Sequence, residues 1–140
     1  MKPNDNENRP PDGPRTVSLG IVIKVNLSVS RAALLALAEA GTDPLEAILS
    51  TTPGTEARVA QLAKAWSRSP GGCWSLKRSL AWMEAAPAKI PLTVTIEAGR
   101  WNRIVEVAAL VGRTPQQWCL SSIGYRAALI MSECRGTSNQ

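Results

Sequence analysis

The fold is decided by residues 92–117, which read LTVTIEAGRWNRIVEVAALVGRTPQQ. The first five residues alternate apolar side chains with threonine, and this period of two predicts a β-strand with one buried face and one polar face. The period then changes to that of a helix, which we expect over residues 99–111 before Gly112 ends it. Thr114-Pro115-Gln116-Gln117 combines an N-cap hydroxyl, a proline at the first helical position and a capping-box amide, so a longer helix should follow to about Glu133.

The same order of elements occurs once before in the chain. Residues 21–27 alternate in the same way, and a helix is expected over residues 30–40. The predicted apolar side of this helix consists of Leu34, Leu35 and Ala38. Gly41 then ends the helix, and Asp43-Pro44 begins the next one with a cap and a proline. The two copies share their pattern rather than their residues, with a two-residue insertion in the second copy.

Neither copy can bury the apolar face of its strand alone, because a lone strand of about six residues is not stable. We therefore expect the two strands to pair antiparallel within one chain and to rest on the helices. The predicted fold is mostly α with a two-stranded antiparallel β-ribbon. The expected boundaries are a disordered tail (1–16), a single domain (17–134) and a second tail (135–140). The domain divides into a first half (17–52), a helical connector (53–89) and a second half (90–134).

Composition restricts the classes of function. Sixteen Lys and Arg residues against 11 Asp and Glu give a net charge of +5, which favours a polyanionic partner. The chain has no histidine, and Cys73, Cys119 and Cys134 lack the spacing of a metal site. We expect no metal, no cofactor and no enzymatic activity, since no acid/base pair, phosphate-binding loop or nucleophile motif is recognisable. Without an apolar run of 18 residues or a signal peptide, the sequence predicts a cytoplasmic protein without membrane contact.

The polar face of the predicted ribbon carries side chains that can read DNA bases. It presents Lys24, Asn26, Thr93 and Thr95 to solvent. A two-stranded ribbon fits the major groove of B-DNA, where lysine suits guanine, asparagine suits adenine and threonine can touch the thymine methyl group. We predict that these four side chains contact base edges. The competing interpretation is a polar strand face that is simply solvated.

The order of strand, helix, glycine turn and capped helix resembles the ribbon-helix-helix family of DNA-binding proteins, most closely over residues 90–132. Two copies in one chain resemble the tandem, pseudo-dimeric members found among the virulence and plasmid accessory proteins of T-DNA transfer and conjugation. The resemblance implies phosphate contacts at the start of each second helix. These positions correspond to Thr42 in the first half and to Arg113 and Thr114 in the second half.

Arg31 and Arg100 occupy matching positions near the first helices and are further candidates for phosphate contact, although solvation explains them equally well. Asp43 departs from the family pattern because its carboxylate would repel a phosphate. The expected partners are double-stranded DNA and DNA-processing proteins of the relaxosome type, with a monomer in solution and side-by-side pairs on DNA. Two alternatives stay open: a transcriptional repressor or antitoxin, and a protein-interaction module that does not bind DNA.

Overall fold

The computed structural model describes residues 21–52, 56–68 and 75–138. It is mostly helical and contains one two-stranded sheet. The elements in chain order are β1 (Val22–Ser30), α1 (Arg31–Glu39), α2 (Pro44–Thr51), α3 (Glu56–Ala65), α4 (Leu76–Ala85), β2 (Lys89–Glu97), α5 (Ala98–Leu110) and α6 (Pro115–Ser138). The predicted tail at residues 1–16 lies outside the described residues, whereas α6 continues into the segment 135–140 that was expected to be a tail.

The two strands pair antiparallel with each other, with Val25 opposite Val94. The prediction of a ribbon formed within one chain is thereby confirmed. Strand β1 extends three residues beyond the predicted end at Leu27, because Val29 continues the alternation and is fully buried. Ser30 then ends the strand by accepting a hydrogen bond from the Ala33 N–H, which caps α1.

The turn between the first and second helix has the same geometry in both copies. Gly41 and Gly112 adopt φ angles of 70° and 72°, in the left-handed region that glycine tolerates best. The next N–H, of Thr42 or Arg113, donates to a carbonyl of the preceding helix at 2.9 and 2.8 Å respectively. Helix α5 has 13 residues and α1 has nine. Two of the four extra residues are the insertion, and the other two arise because α5 begins at Ala98, two residues before the position that matches Arg31.

Helix α6 runs through the centre of the fold and is enclosed by other elements. Its buried residues are Trp118, Cys119, Ser121, Ser122, Ile123, Gly124, Ala127 and Ala128. These positions surround the helix axis rather than forming one stripe, as expected for a helix that is packed on all sides. It packs against α1, α2, α4 and α5 and beneath β1.

The two helices of the predicted connector belong to this core. A Cβ atom added at Gly124 would lie 2.6 Å from Met83 Cγ and 3.1 Å from the Ser79 carbonyl oxygen, so α4 lies close against the backbone of α6. Trp66, just after α3, stacks on Trp118 with ring centroids 5.9 Å apart and planes inclined by 30°. Both helices therefore contribute to the hydrophobic core.

The prediction of which face of α1 is buried is wrong. Leu35 is 53% exposed and Ala38 is also exposed, whereas Leu34 is half-buried. The buried residues are Ala33, Ala36 and Leu37. Small alanine side chains allow α1 to lie close to α6, and this packing rather than the largest side chains determines which face is buried.

The Cys119 thiol is buried, and burial raises its pKa to about 12. The thiolate is the reactive form, so Cys119 should stay unreactive until the pH approaches that value. In a Cys73→Ser/Cys134→Ser background, we expect iodoacetamide at pH 8 to label the folded protein roughly 100- to 1000-fold more slowly than the urea-unfolded protein. Equal labelling rates would show that Cys119 is accessible in the fold.

Candidate nucleic-acid interface

The outward face of the ribbon brings all four predicted base-reading residues together. Lys24 lies opposite Thr95 and Asn26 lies opposite Thr93, and all four are exposed. The inward face is apolar, as predicted. Its buried residues are Val25, Leu27, Val29, Val94 and Ile96, and its half-buried residues are Ile23 and Leu92. Successive side chains of a strand point to opposite faces of the ribbon. Because the apolar side chains pack on the helices, the polar side chains between them face the solvent.

The hydrogen-bonding pattern of the ribbon holds the outward side chains close to one another. Just beyond its two ends, the Ala98 N–H donates to the Ile21 carbonyl at 3.2 Å and the Arg31 N–H donates to the Ala88 carbonyl at 3.0 Å. These two flanking pairs are hydrogen-bonded, and hydrogen-bonded and non-hydrogen-bonded pairs alternate along an antiparallel ladder. Since the Lys24–Thr95 and Asn26–Thr93 pairs lie an odd number of positions from each flanking pair, they are of the non-hydrogen-bonded type. In such pairs the Cα atoms are only about 4.5 Å apart, and the side chains come closer together.

Asn26 and Thr93 are in direct contact on this face. The Thr93 hydroxyl donates to Asn26 Oδ1 at 2.8 Å, across the two strands. The hydrogen bond restricts the rotamers of both side chains before any ligand arrives, which reduces the entropy cost of binding. The Asn26 amide still has its N–H donors, and the Thr93 oxygen can still accept. The pair therefore presents a donor and an acceptor side by side.

Sequence reasoning missed Ser28, which extends the outward row. It is exposed, lies two residues after Asn26 and faces Pro91 across the ribbon. The signal was present, because Val29 continues the apolar alternation that makes Ser28 an outward position. Successive outward residues on one strand are roughly 7 Å apart, which is the distance of about two base-pair steps.

The predicted phosphate-contacting arginines have exposed side chains that are not paired with carboxylates. Within residues 21–52, 56–68 and 75–138, no ion pair involves Arg31, Arg100 or Arg113. By contrast, Arg103 pairs with Glu106 at 2.6 Å and Arg126 reaches Glu46 at 3.3 Å, so these two cations are already partly neutralised. The side chains of these three arginines are therefore free to meet phosphates.

The backbone N–H groups at the predicted clamp positions already have acceptors. Those of Thr42 and Arg113 donate to the helix carbonyls of the glycine turns. The Thr114 N–H donates to Gln117 Oε1 at 3.0 Å, and the Gln117 N–H donates to the Thr114 hydroxyl at 3.1 Å, which completes the predicted capping box. Gln117 Nε2 also donates to the carboxylate of Glu84 at 2.9 Å. A phosphate that used the Thr114 N–H would have to displace Gln117.

In the first copy, Asp43 caps α2 through its own carboxylate, which accepts from the Leu45 N–H at 3.1 Å. The carboxylate is exposed at a position that faces an incoming phosphate if the turn meets DNA. The two turns thus differ in charge: the first has Thr42 and Asp43, and the second has Arg113 and Thr114.

If the turn after α5 meets DNA, Arg113→Ala should weaken specific and non-specific binding alike, because a phosphate contact carries no sequence information. Loss of one neutralised phosphate should reduce the slope of log K against log salt by about 0.9. Titrations of one preferred and one random duplex at several salt concentrations measure both effects. Asp43→Asn retains a capping side chain and removes the repelling charge, so it should strengthen binding. The assignment would be contradicted if Arg113→Ala changed only the specificity of DNA binding. It would also be contradicted if a folded Asp43→Asn variant bound DNA more weakly than the wild type.

Two further properties concern the described part of the chain. No group of three or more His, Cys, Asp and Glu residues in it could hold a metal ion. No described helix is both long enough and apolar enough to cross a membrane. Comparisons with models of known protein families, with curated proteins and with solved structures find no match to this chain.

Proposed function

We propose that this protein binds double-stranded DNA with a sequence preference, by inserting the outward face of its ribbon into the major groove. One observation carries the proposal: Lys24, Asn26, Thr93 and Thr95 form two adjacent cross-strand pairs on the exposed face of a two-stranded ribbon. All four can hydrogen-bond to base edges, and Asn26 and Thr93 are already held together at 2.8 Å.

The dimensions of the ribbon suit this groove. The major groove is about 12 Å wide, and paired strands lie about 4.8 Å apart, which leaves room for side chains on both strands. No third strand flanks the ribbon among the described residues, so neither edge is blocked by another strand. Arg31 and Arg100 follow the ends of β1 and β2, where the phosphates on the two sides of the groove would lie.

In this proposal the chain is a tandem ribbon-helix-helix pseudo-dimer. The matched glycine turns, the proline-initiated second helices and the single ribbon support it. The resemblance to accessory proteins of T-DNA and conjugative plasmid transfer suggests the same role here, alongside relaxosome-type proteins. A transcriptional repressor or antitoxin would use the same ribbon on a different DNA site.

A protein-interaction module is the candidate from another class, and exposed apolar side chains favour it. Leu35 on α1 and Leu110 at the end of α5 are 53% and 58% exposed. Single exposed leucines are common on monomeric proteins, however. On the ribbon, Val22 and Ile90 are 48% and 37% exposed, but they lie towards its opposite ends and outside the two central polar pairs. DNA binding explains the polar face of the ribbon, which this alternative does not.

A salt titration separates the two classes. Wild-type protein is titrated into a random duplex and into transfer-origin duplexes, with affinity measured at salt concentrations from 50 to 300 mM, for example. If Arg31, Arg100 and Arg113 each neutralise one phosphate, the slope of log K against log salt should be about −2.7 or steeper. Binding that shows no dependence on salt, or no binding to any duplex, would refute the proposed function.

A further inference from the structure

We infer that the preferred DNA site of this protein is non-palindromic and is bound in one orientation only. The inference rests on the proposed function and specifies the kind of duplex that the ribbon recognises. It follows from the register of the ribbon and from the chemical difference between its two strands.

The register defines an approximate two-fold axis through the ribbon. Because the strands are antiparallel with Val25 opposite Val94, a two-fold rotation between these residues exchanges β1 with β2. The same rotation exchanges Lys24 with Thr93 and Asn26 with Thr95, as the matching of the two sequence copies also indicates. A palindromic site centred on this axis would present identical base edges to each exchanged pair.

The exchanged residues need different bases. The Lys24 ammonium group only donates hydrogen bonds, whereas the Thr93 hydroxyl donates, accepts and carries a methyl group. The lysine suits the two acceptors of guanine, while threonine suits the thymine methyl group or a single polar base edge. Asn26 and Thr95 differ in the same way, since only an amide can donate and accept through two separate atoms. A palindrome can therefore satisfy the residues of one strand but not those of both.

The charges around the ribbon are also unequal under this rotation. The turn after α1 carries the negative Asp43 beside Thr42, whereas the turn after α5 carries the positive Arg113 beside Thr114. The two strands thus differ in the bases that they can contact, and the two turns differ independently in how strongly they attract phosphates. Both differences lead to one preferred orientation on DNA.

Selection of binding sites from a random duplex pool tests the inference. The wild-type protein should enrich a non-palindromic site. Replacing one half of that site with the inverted copy of the other half should lower affinity about 5- to 150-fold, the change produced by losing one good base contact. Two double variants make the strands alike: Thr93→Lys/Thr95→Asn gives Lys-Val-Asn on both, and Lys24→Thr/Asn26→Thr gives Thr-Val-Thr on both.

Each double variant should enrich a palindrome built from one half of the wild-type site, and the two palindromes should differ. All four positions are exposed, and thermal unfolding monitored by circular dichroism verifies that each variant is folded. A palindromic wild-type site, or the same non-palindromic site for folded variants and wild type, would overturn the inference while leaving DNA binding intact. If no duplex is enriched or bound by the wild type, the proposed function itself fails, and the inference fails with it.

Discussion

Replacing both Lys24 and Asn26 with alanine is expected to reduce discrimination between a preferred duplex and random DNA by about 2–6 kcal/mol, since each good base contact contributes about 1–3 kcal/mol. Both side chains are exposed on the ribbon, so the fold should be retained. The measurement is the ratio of the two dissociation constants at fixed salt, for the double variant and for the wild type.

Lys77→Ala/Asn102→Ala provides a matched control. It removes the same two residue types from exposed positions on α4 and α5, away from the outward face of the ribbon, and changes the net charge equally. We expect it to leave the discrimination ratio unchanged. If the control and the ribbon variant behave alike, the loss reflects net charge, and the ribbon face does not read bases.

Trp118→Ala should destabilise the protein by about 3–5 kcal/mol, because it leaves a cavity at a fully buried position on the central helix. The variant also loses the stacking with Trp66 and the hydrogen bond from Trp118 Nε1 to the Thr52 hydroxyl, whose donor–acceptor distance is 3.0 Å. Urea unfolding, monitored by circular dichroism, measures the change in the free energy of unfolding.

Trp118→Phe separates the contributions to this effect. It retains an aromatic ring that can stack on Trp66 but removes the indole N–H, so it should cost less than the alanine variant. A change below about 1 kcal/mol for Trp118→Ala would be inconsistent with a fully packed environment around this residue.

The ribbon could be predicted from sequence because its signal is strong and local. Apolar residues at every second position leave no choice of face, and each strand needs a partner to bury that face. The glycine turns were equally readable, since both Gly41 and Gly112 are followed by a proline-initiated helix. The four outward residues of the candidate site followed directly from this alternation.

The properties that could not be predicted depend on contacts between distant elements. Leu34 and Leu35 are adjacent in a helix and point about 100° apart, so the pattern could not decide which one faces the core. The stacking of Trp66 on Trp118 joins positions 52 residues apart. The hydrogen bond from Gln117 Nε2 to the Glu84 carboxylate likewise joins two distant elements, α6 and α4, whereas the local capping box of Gln117 with Thr114 was predicted.

An NMR titration of isotope-labelled wild-type protein with a selected duplex tests most directly whether the ribbon is the DNA-binding surface. The described structure places the candidate base-reading residues in β1 and β2 and the nearby arginines just beyond the ends of these strands. If the ribbon enters the major groove, the largest amide shifts will fall in residues 22–31 and 89–100. Large shifts confined to α3 and α4, with the ribbon amides unchanged, would contradict the proposal.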